Sequence, residues 1–271
     1  MSRQLDPDLE AALKKLRLGK MIPTMPERIA LAEKSKMAFE ELLLLLLRDE
    51  IDRRASTATA RRAKEAGLHP DMGIERWDET TKVTFDRRIL QELLCLRFIP
   101  EGRNAVILGP VGVGKTFLAT AIAHAACRHR FQVLMTRADD MLRKLKQSRM
   151  DNSRDALMIE LTSVDLLVID DFAIEPMTRE ESRDIYQLFV ERNGRAATII
   201  TSNRDTSEWI ATFDDVLLAQ SAVDRFINNA YDLVVEGESY RARLKPTVDD
   251  TSPPPTTPVT KPDHPIRKRR R

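Results

Sequence analysis

Through the middle of the chain, short β-branched apolar runs alternate with longer segments of helical period. Residues 105–108, 132–136, 166–169 and 198–201 read as strands, with 233–235 a shorter fifth. Residues 115–128, 139–147, 153–162 and 179–192 carry apolar positions at helical spacing. Strand, helix and strand repeated in this way predict a parallel five-stranded sheet flanked by helices, across 74–246. Residues 1–73 read as a small all-helical region. Leu9, Leu13, Leu16 and Arg17 share a helical spacing, Pro23 and Pro26 interrupt it, and 38–66 contains neither Pro nor Gly. Residues 42–47 are all leucine, closed by Arg48, Asp49 and Glu50. A membrane contact competes there with a helix buried by its neighbours, and the flanking charges favour burial. From 247 to 271 the composition shifts to six prolines and a terminal Arg-Lys-Arg-Arg-Arg, which predicts a disordered basic tail.

Composition narrows the class. The chain has 271 residues, 42% hydrophobic and 32% charged, a globular balance. No apolar run approaches the length of a membrane span, and the N-terminus lacks a signal-peptide core, so a cytoplasmic protein is expected. Two cysteines, Cys95 and Cys127, exclude a disulfide framework and a four-cysteine zinc site. Net charge is +2, which by itself points to no polyanionic partner.

Glycine marks the chemistry. Of nine glycines, three fall between 109 and 114. Gly109-Pro110-Val111-Gly112-Val113-Gly114-Lys115-Thr116 matches the phosphate-binding pattern G-x-x-x-x-G-K-[ST], between an apolar strand and a helix that continues through Phe117. Successive backbone N–H groups in such a loop face phosphate oxygens, and the helix N-terminus adds its positive end. Lys115 is expected on the β- and γ-phosphates, and Thr116 on Mg²⁺. The apolar strand 166–169 ends in Asp170 and Asp171. Asp170 is the expected Mg²⁺ partner and Asp171 the expected residue polarising the attacking water, with a helix or turn cap as the alternative for Asp171. Strand 198–201 is expected between the P-loop strand and the Asp170 strand, placing Asn203 near the γ-phosphate.

These motifs, with Ser221-Ala222-Val223-Asp224-Arg225, resemble AAA+ ATPases of the initiator and helicase-loader type, and most closely the IstB-like proteins of insertion-sequence transposition. Leu16-Arg17-Leu18-Gly19-Lys20-Met21, Pro26-Glu27-Arg28 and 49–54 are similar to that family's N-terminal region. The resemblance implies an AAA+ P-loop fold of the additional-strand type, with ATP and Mg²⁺ as cofactors. It implies hydrolysis, assembly of a homo-oligomer with ATP, duplex DNA as ligand and a cognate transposase as partner. Asn203 matches the first sensor and Arg225 the finger inserted into a neighbouring subunit's site. Arg241 is the candidate second sensor, with no lid domain after it. Asp171 stands where many AAA+ proteins have Glu, one methylene longer, which predicts slow hydrolysis. An adaptor of the DnaC helicase-loader type, acting mainly by protein binding, is the alternative. A small-molecule P-loop kinase is a third, disfavoured by Arg225.

Arg53, Arg54, Arg61, Arg62 and Lys64 form a stretch without an acid. As a helix it places Arg54, Arg61 and Arg62 on one side, as a solvated face or as a track for a phosphate backbone; the family's DNA binding favours the second. His124 and Cys127 are expected to be packing residues. Trp77, with Ile74 and Phe85, is expected either in the core or beside the adenine.

Overall fold

A computed structural model describes residues 5–240. Three helices come first: α1 (Pro7–Lys15), α2 (Met25–Ser35) and α3 (Phe39–Glu65). Asp6 caps α1 by accepting from the N–H groups of Asp8 and Leu9. The remainder follows as β1 (Val83–Thr84), α4 (Arg87–Leu94), β2 (Asn104–Leu108), α5 (Lys115–Arg128), β3 (Val133–Arg137), α6 (Ala138–Ser148), α7 (Arg154–Ser163), β4 (Leu166–Asp170), α8 (Arg179–Arg192), β5 (Ala197–Ser202), α9 (Thr206–Trp209), α10 (Val216–Ile227), β6 (Ala230–Val234) and β7 (Glu236–Gly237).

The main sheet has the order β3-β4-β5-β2-β6, parallel throughout. The expected insertion of β5 between the P-loop strand β2 and the Asp170 strand β4 is present. β2, β4 and β5 are buried along their whole length, which is why they read as unbroken apolar runs. Alternate residues serve two cores. Ala105 and Ile107 pack with α5, α4 and the end of α3; Val106 and Leu108 pack with α6, α8, α9 and α10. The outer edge of β3 is met by α3, where the Met135 N–H donates to the Ala66 carbonyl at 2.8 Å.

One charged side chain is built into this frame. Arg192, 2% exposed, donates to the carbonyls of Leu161, Thr162, Val164 and Ala197 and to Thr198 Oγ1. It closes the C-terminal end of α7 onto the start of β5, and burial lowers its pKa to about 10. Arg192→Leu leaves those carbonyls unpaired in the interior, a cost on the order of 3 kcal/mol. Thermal melting is expected about 6–12 °C below the parent; an unchanged melting temperature would remove this role.

The leucine run departs from expectation. Only Leu46 is buried, at 6% exposed, whereas Leu43, Leu44 and Leu47 stand 40–48% exposed. The cause is geometry: six successive residues point to every side of a helix, and α1 and α2 cover only one side of α3, where Leu46 and Leu42 meet Leu13, Met21 and Met25. No helix among the described residues is long and apolar enough to cross a membrane.

Candidate nucleotide-binding site

The parallel strands direct their carboxyl ends to one edge of the sheet, and the chemistry collects there. β2 ends at Leu108, the P-loop follows, and α5 starts at Lys115. Gly114 caps α5 with φ +97°, and a Cβ there would lie 3.0 Å from the Trp77 ring, so both conformation and space call for glycine. Lys115 is 5% exposed, and its Nζ donates to the Pro110 carbonyl at 2.8 Å and to Asn203 Oδ1 at 2.5 Å. Asn203, 88 residues away in sequence, is thus brought to the P-loop lysine as expected.

Thr116 and Asp170 also meet. The Thr116 hydroxyl lies 3.0 and 3.1 Å from the two Asp170 carboxylate oxygens. Thr201 Oγ1 donates to Asp170 at 2.5 Å and accepts the Asp171 N–H at 3.0 Å. Burial raises the Asp170 pKa against these hydroxyl donors. A buried carboxylate held by hydroxyl groups, beside a P-loop threonine, suits Mg²⁺, which takes one or two carboxylates and completes its shell with phosphate and water. Thr201 is a site residue that sequence reasoning placed in a strand without giving it a role.

Asp171 is 30% exposed, with φ +57°. It does not cap the next helix: the Thr178 hydroxyl accepts from the Glu181 N–H, and the Glu181 carboxylate returns to Thr178. Arg137, at the end of β3, comes within 4.0 Å of Asp171 but pairs more closely with Asp139, at 3.0 Å. A cleft of about 520 Å³ joins these groups, lined by Val111–Phe117, Asp171, Asn203, Trp77 and Tyr240 among others. Its lining joins the polar groups of Lys115, Thr116, Asp171 and Asn203 to the aromatic rings of Trp77, Phe117 and Tyr240.

A family model for IstB-like ATP-binding proteins matches residues 11–247. The chain belongs to the IstB-like ATP-binding family. It is 34% identical over 243 residues to a Mycobacterium tuberculosis protein named as a putative ATP-binding protein in an insertion sequence, covering 89% of this chain and 96% of the relative. It is 30% identical over 238 residues to the putative ATP-binding protein of insertion sequence IS21 from Pseudomonas aeruginosa, covering 88% and 90%. Among solved structures, the replication initiator DnaA bound to AMPPCP and single-stranded DNA aligns with a TM-score of 0.52. That match has 22% identity over 63% of this chain and 51% of that chain. The fold shared with it is the AAA+ P-loop fold.

Other candidate residues of this IstB-like chain lie apart from the cleft. Arg225 is exposed near the end of α10, five residues before β6 begins opposite Asn104. The basic stretch on α3 is largely engaged within the chain. Arg53 and Arg54 both pair with Glu50, at 2.8 and 2.7 Å; they hold that buried carboxylate at a pKa of about 2, Arg53 contributing most. Arg61 pairs with Glu65 at 2.7 Å. Arg62 turns toward α5 and donates to the Cys127 carbonyl at 3.0 Å, so the expected row of Arg54, Arg61 and Arg62 does not form. The reason is that Ala63 and Ala66 of the same turn pack into the core beside α5. Lys64 is exposed. His124 and Cys127 are packing groups: His124 Nε2 lies 2.9 Å from the His69 carbonyl, and burial raises the Cys127 pKa. No group of three or more metal-type ligands occurs among the described residues. Arg241 and the tail 247–271 lie outside the described residues.

Proposed function

We propose that this protein is a Mg²⁺-dependent ATPase that assembles with further copies of itself on duplex DNA and assists a transposase. The observation carrying the hydrolytic reading is the convergence of Thr116, Asp170, Asp171 and Asn203 around Lys115. In this reading Lys115 and the P-loop amides hold the β- and γ-phosphates, with Phe117 in the first turn behind them. Thr116 and Asp170 hold Mg²⁺, which neutralises charge on the phosphates when bound. Asp171 takes a proton from the attacking water, and Asn203 orients that water without adding charge. ATP turnover with and without duplex DNA, alongside particle mass under the same conditions, tests the whole proposal. No turnover in either condition would sink the enzymatic reading and favour the protein-binding adaptor.

The topology supports a site shared between subunits. α10 returns the chain from the carboxyl edge of the sheet to its amino edge, and Arg225 sits at that far end. The strands between the two edges are five residues long in β2, roughly 17 Å of extended chain. In this reading the guanidinium serves another copy's phosphates rather than its own, and its position at the far edge of the sheet supports that. The helical region 1–73 is the proposed DNA contact, with 74–246 as the ATPase unit.

For DNA, exposure favours Arg61 and Lys64 within the stretch: Arg61 is 80% exposed although paired with Glu65, Lys64 is exposed, Arg53 and Arg54 share the buried Glu50, and Arg62 serves packing. Replacing Arg53, Arg54, Arg61 and Lys64 by Ala is expected to weaken duplex binding alike across sequences. For every phosphate that no longer meets a basic side chain, the slope of log affinity against log salt should fall by about 0.9. An unchanged slope would leave the stretch as a solvated face.

A further inference from the structure

One buried hydroxyl links the chain beside Asp171 to the chain beside Asn203. Ser202 is the last residue of β5 and is fully buried. Its Oγ donates to the Phe172 carbonyl at 2.9 Å, and accepts the Arg204 N–H at 3.1 Å and the Trp209 Nε1–H at 3.3 Å. A hydroxyl has one proton to give and two lone pairs, so every hydrogen-bonding position of Ser202 is filled. Phe172 follows Asp171, and Arg204 follows Asn203. A single oxygen therefore ties down the neighbours of both groups assigned to the attacking water.

The chain beside Asp171 needs such a tie. Asp171 and Ala173 both have left-handed backbones, φ +57° and +60°. Asp tolerates that conformation, but Ala, with a Cβ and no polar side chain, holds it only where its surroundings impose it. Three hydrogen bonds to β5 do so. The Asp171 N–H donates to Thr201 Oγ1 at 3.0 Å, the Phe172 N–H donates to the Thr201 carbonyl at 2.9 Å, and the Phe172 carbonyl accepts from Ser202. The Phe172 ring is buried edge-on to Trp209, at 4.9 Å between centroids, so the chain turns inward at 172 and leaves Asp171 on the cleft. On the other side, the Arg204 N–H closes a serine turn around Asn203, whose Oδ1 takes the Lys115 ammonium.

We propose that Ser202 is a positioning residue for hydrolysis: it holds Asp171 and Asn203 at one fixed spacing, so that the carboxylate and the amide meet the same water. The inference rests on the hydrolytic reading of the site. The three partners of the hydroxyl, Phe172, Arg204 and Trp209, lie outside the P-loop and are not the proposed Mg²⁺ ligands. Loss of the hydroxyl should therefore fall on the rate of the chemical step and not on nucleotide affinity.

Calorimetric ATP binding and turnover at saturating ATP, both on the full chain, separate the two. Ser202→Ala is expected to bind ATP like the parent and to turn it over roughly 10²-fold more slowly, the scale of a reacting group misplaced by about 1 Å. Trp209→Phe removes one donor to Ser202 but leaves the bond to Phe172. It should melt lower yet turn over near the parental rate, which shows what a purely structural loss does. The double variant gives the sharper readout: Ser202→Ala should slow Asp171→Asn far less than it slows the parent, because both changes act at Asp171. Parental turnover in Ser202→Ala would overturn the proposal while the hydrolytic reading stands. So would losses that multiply in the double variant, a matching loss of ATP affinity, or an equal slowing in Trp209→Phe, each of which would reduce Ser202 to a support of the fold. A parent that turns over no ATP would overturn the hydrolytic reading and the inference with it. Melting curves identify a variant that fails to fold; if Ser202→Ala is one, Ser202→Cys, which fills the same place with a weaker donor, carries the test.

Discussion

Asp171→Asn is expected to bind ATP like the parent and to hydrolyse it roughly 10²- to 10⁴-fold more slowly, the usual worth of a positioned general base. The amide keeps the size and the left-handed backbone position at φ +57°, which Asn tolerates as well as Asp. It also keeps the main-chain N–H that donates to Thr201 Oγ1, so Asp170 and Thr116 are undisturbed. The carboxylate charge is lost, and with it proton acceptance and the attraction of Arg137 at 4.0 Å. Lys115→Ala gives the opposite pattern. It removes a buried ammonium facing the phosphate position and takes away the donor that Asn203 and the Pro110 carbonyl share, so nucleotide binding itself should fail. Filter binding of labelled ATP followed by single-turnover hydrolysis separates the two. Parent-like hydrolysis by Asp171→Asn would remove Asp171 from the chemistry and leave it as a turn residue.

The contrast between these neighbours shows which parts of the site a linear sequence carries. Gly109 to Thr116 is contiguous, because one loop must present successive N–H groups to one ligand, and the Asp170–Asp171 pair is contiguous for a similar reason. The strands were legible too, since buried parallel strands read as apolar runs, and the place of β5 between the P-loop strand β2 and the Asp170 strand β4 followed from the resemblance to P-loop proteins of the additional-strand type. The lateral contacts were not. Thr201 joins Asp170 to Asp171 across two strands, and its spelling in 198–201 is that of any β-branched strand residue. The β1–β7 ladder has two residues on each side, too short for any periodicity, and depends on segments far apart in sequence. α10 carries a helical spacing in Ala219, Ala222, Val223 and Phe226, with Asp215 as its cap, yet its exposed apolar start at Val216 and Leu217 blurs the pattern.

The N-terminal helices show the reverse error, where local pattern promises more than packing delivers. Six consecutive leucines suggest burial on every side, but at about 3.6 residues per turn they point all round α3, and the helices beside it cover the one side that carries Leu42 and Leu46. The arginines of the same helix look like one basic surface in sequence. Glu50, buried at 4% exposed, binds Arg53 and Arg54, and the Cys127 carbonyl takes Arg62. Charge counted along a chain overstates charge available to a ligand wherever a buried carboxylate or a helix end has already engaged it.

Arg225→Ala is expected to leave ATP binding by a single subunit nearly intact and to cut hydrolysis by roughly 10³- to 10⁵-fold, the range for an arginine delivered to a transferring phosphoryl group. The expectation follows from where α10 ends. Arg225 is exposed at the amino edge of the sheet, and the P-loop of the same chain opens at the carboxyl edge, so in the proposed assembly its charge would meet the phosphates of another copy. The neighbouring turn is anchored: Phe226 stacks on Phe189 at 4.7 Å and holds the end of α10 against α8, and Asn104 Nδ2 donates to the Phe226 carbonyl at 3.2 Å. A loss through misfolding is therefore distinguishable, because truncating an exposed side chain leaves that anchor in place. Complementation gives the sharper measurement. In a mixture with Lys115→Ala, some interfaces combine the intact pocket of Arg225→Ala with the intact arginine of the other variant, and activity should return in proportion to those interfaces. Equimolar mixtures that co-assemble yet regain no hydrolysis would place Arg225 on its own subunit's surface and make each site complete within one chain.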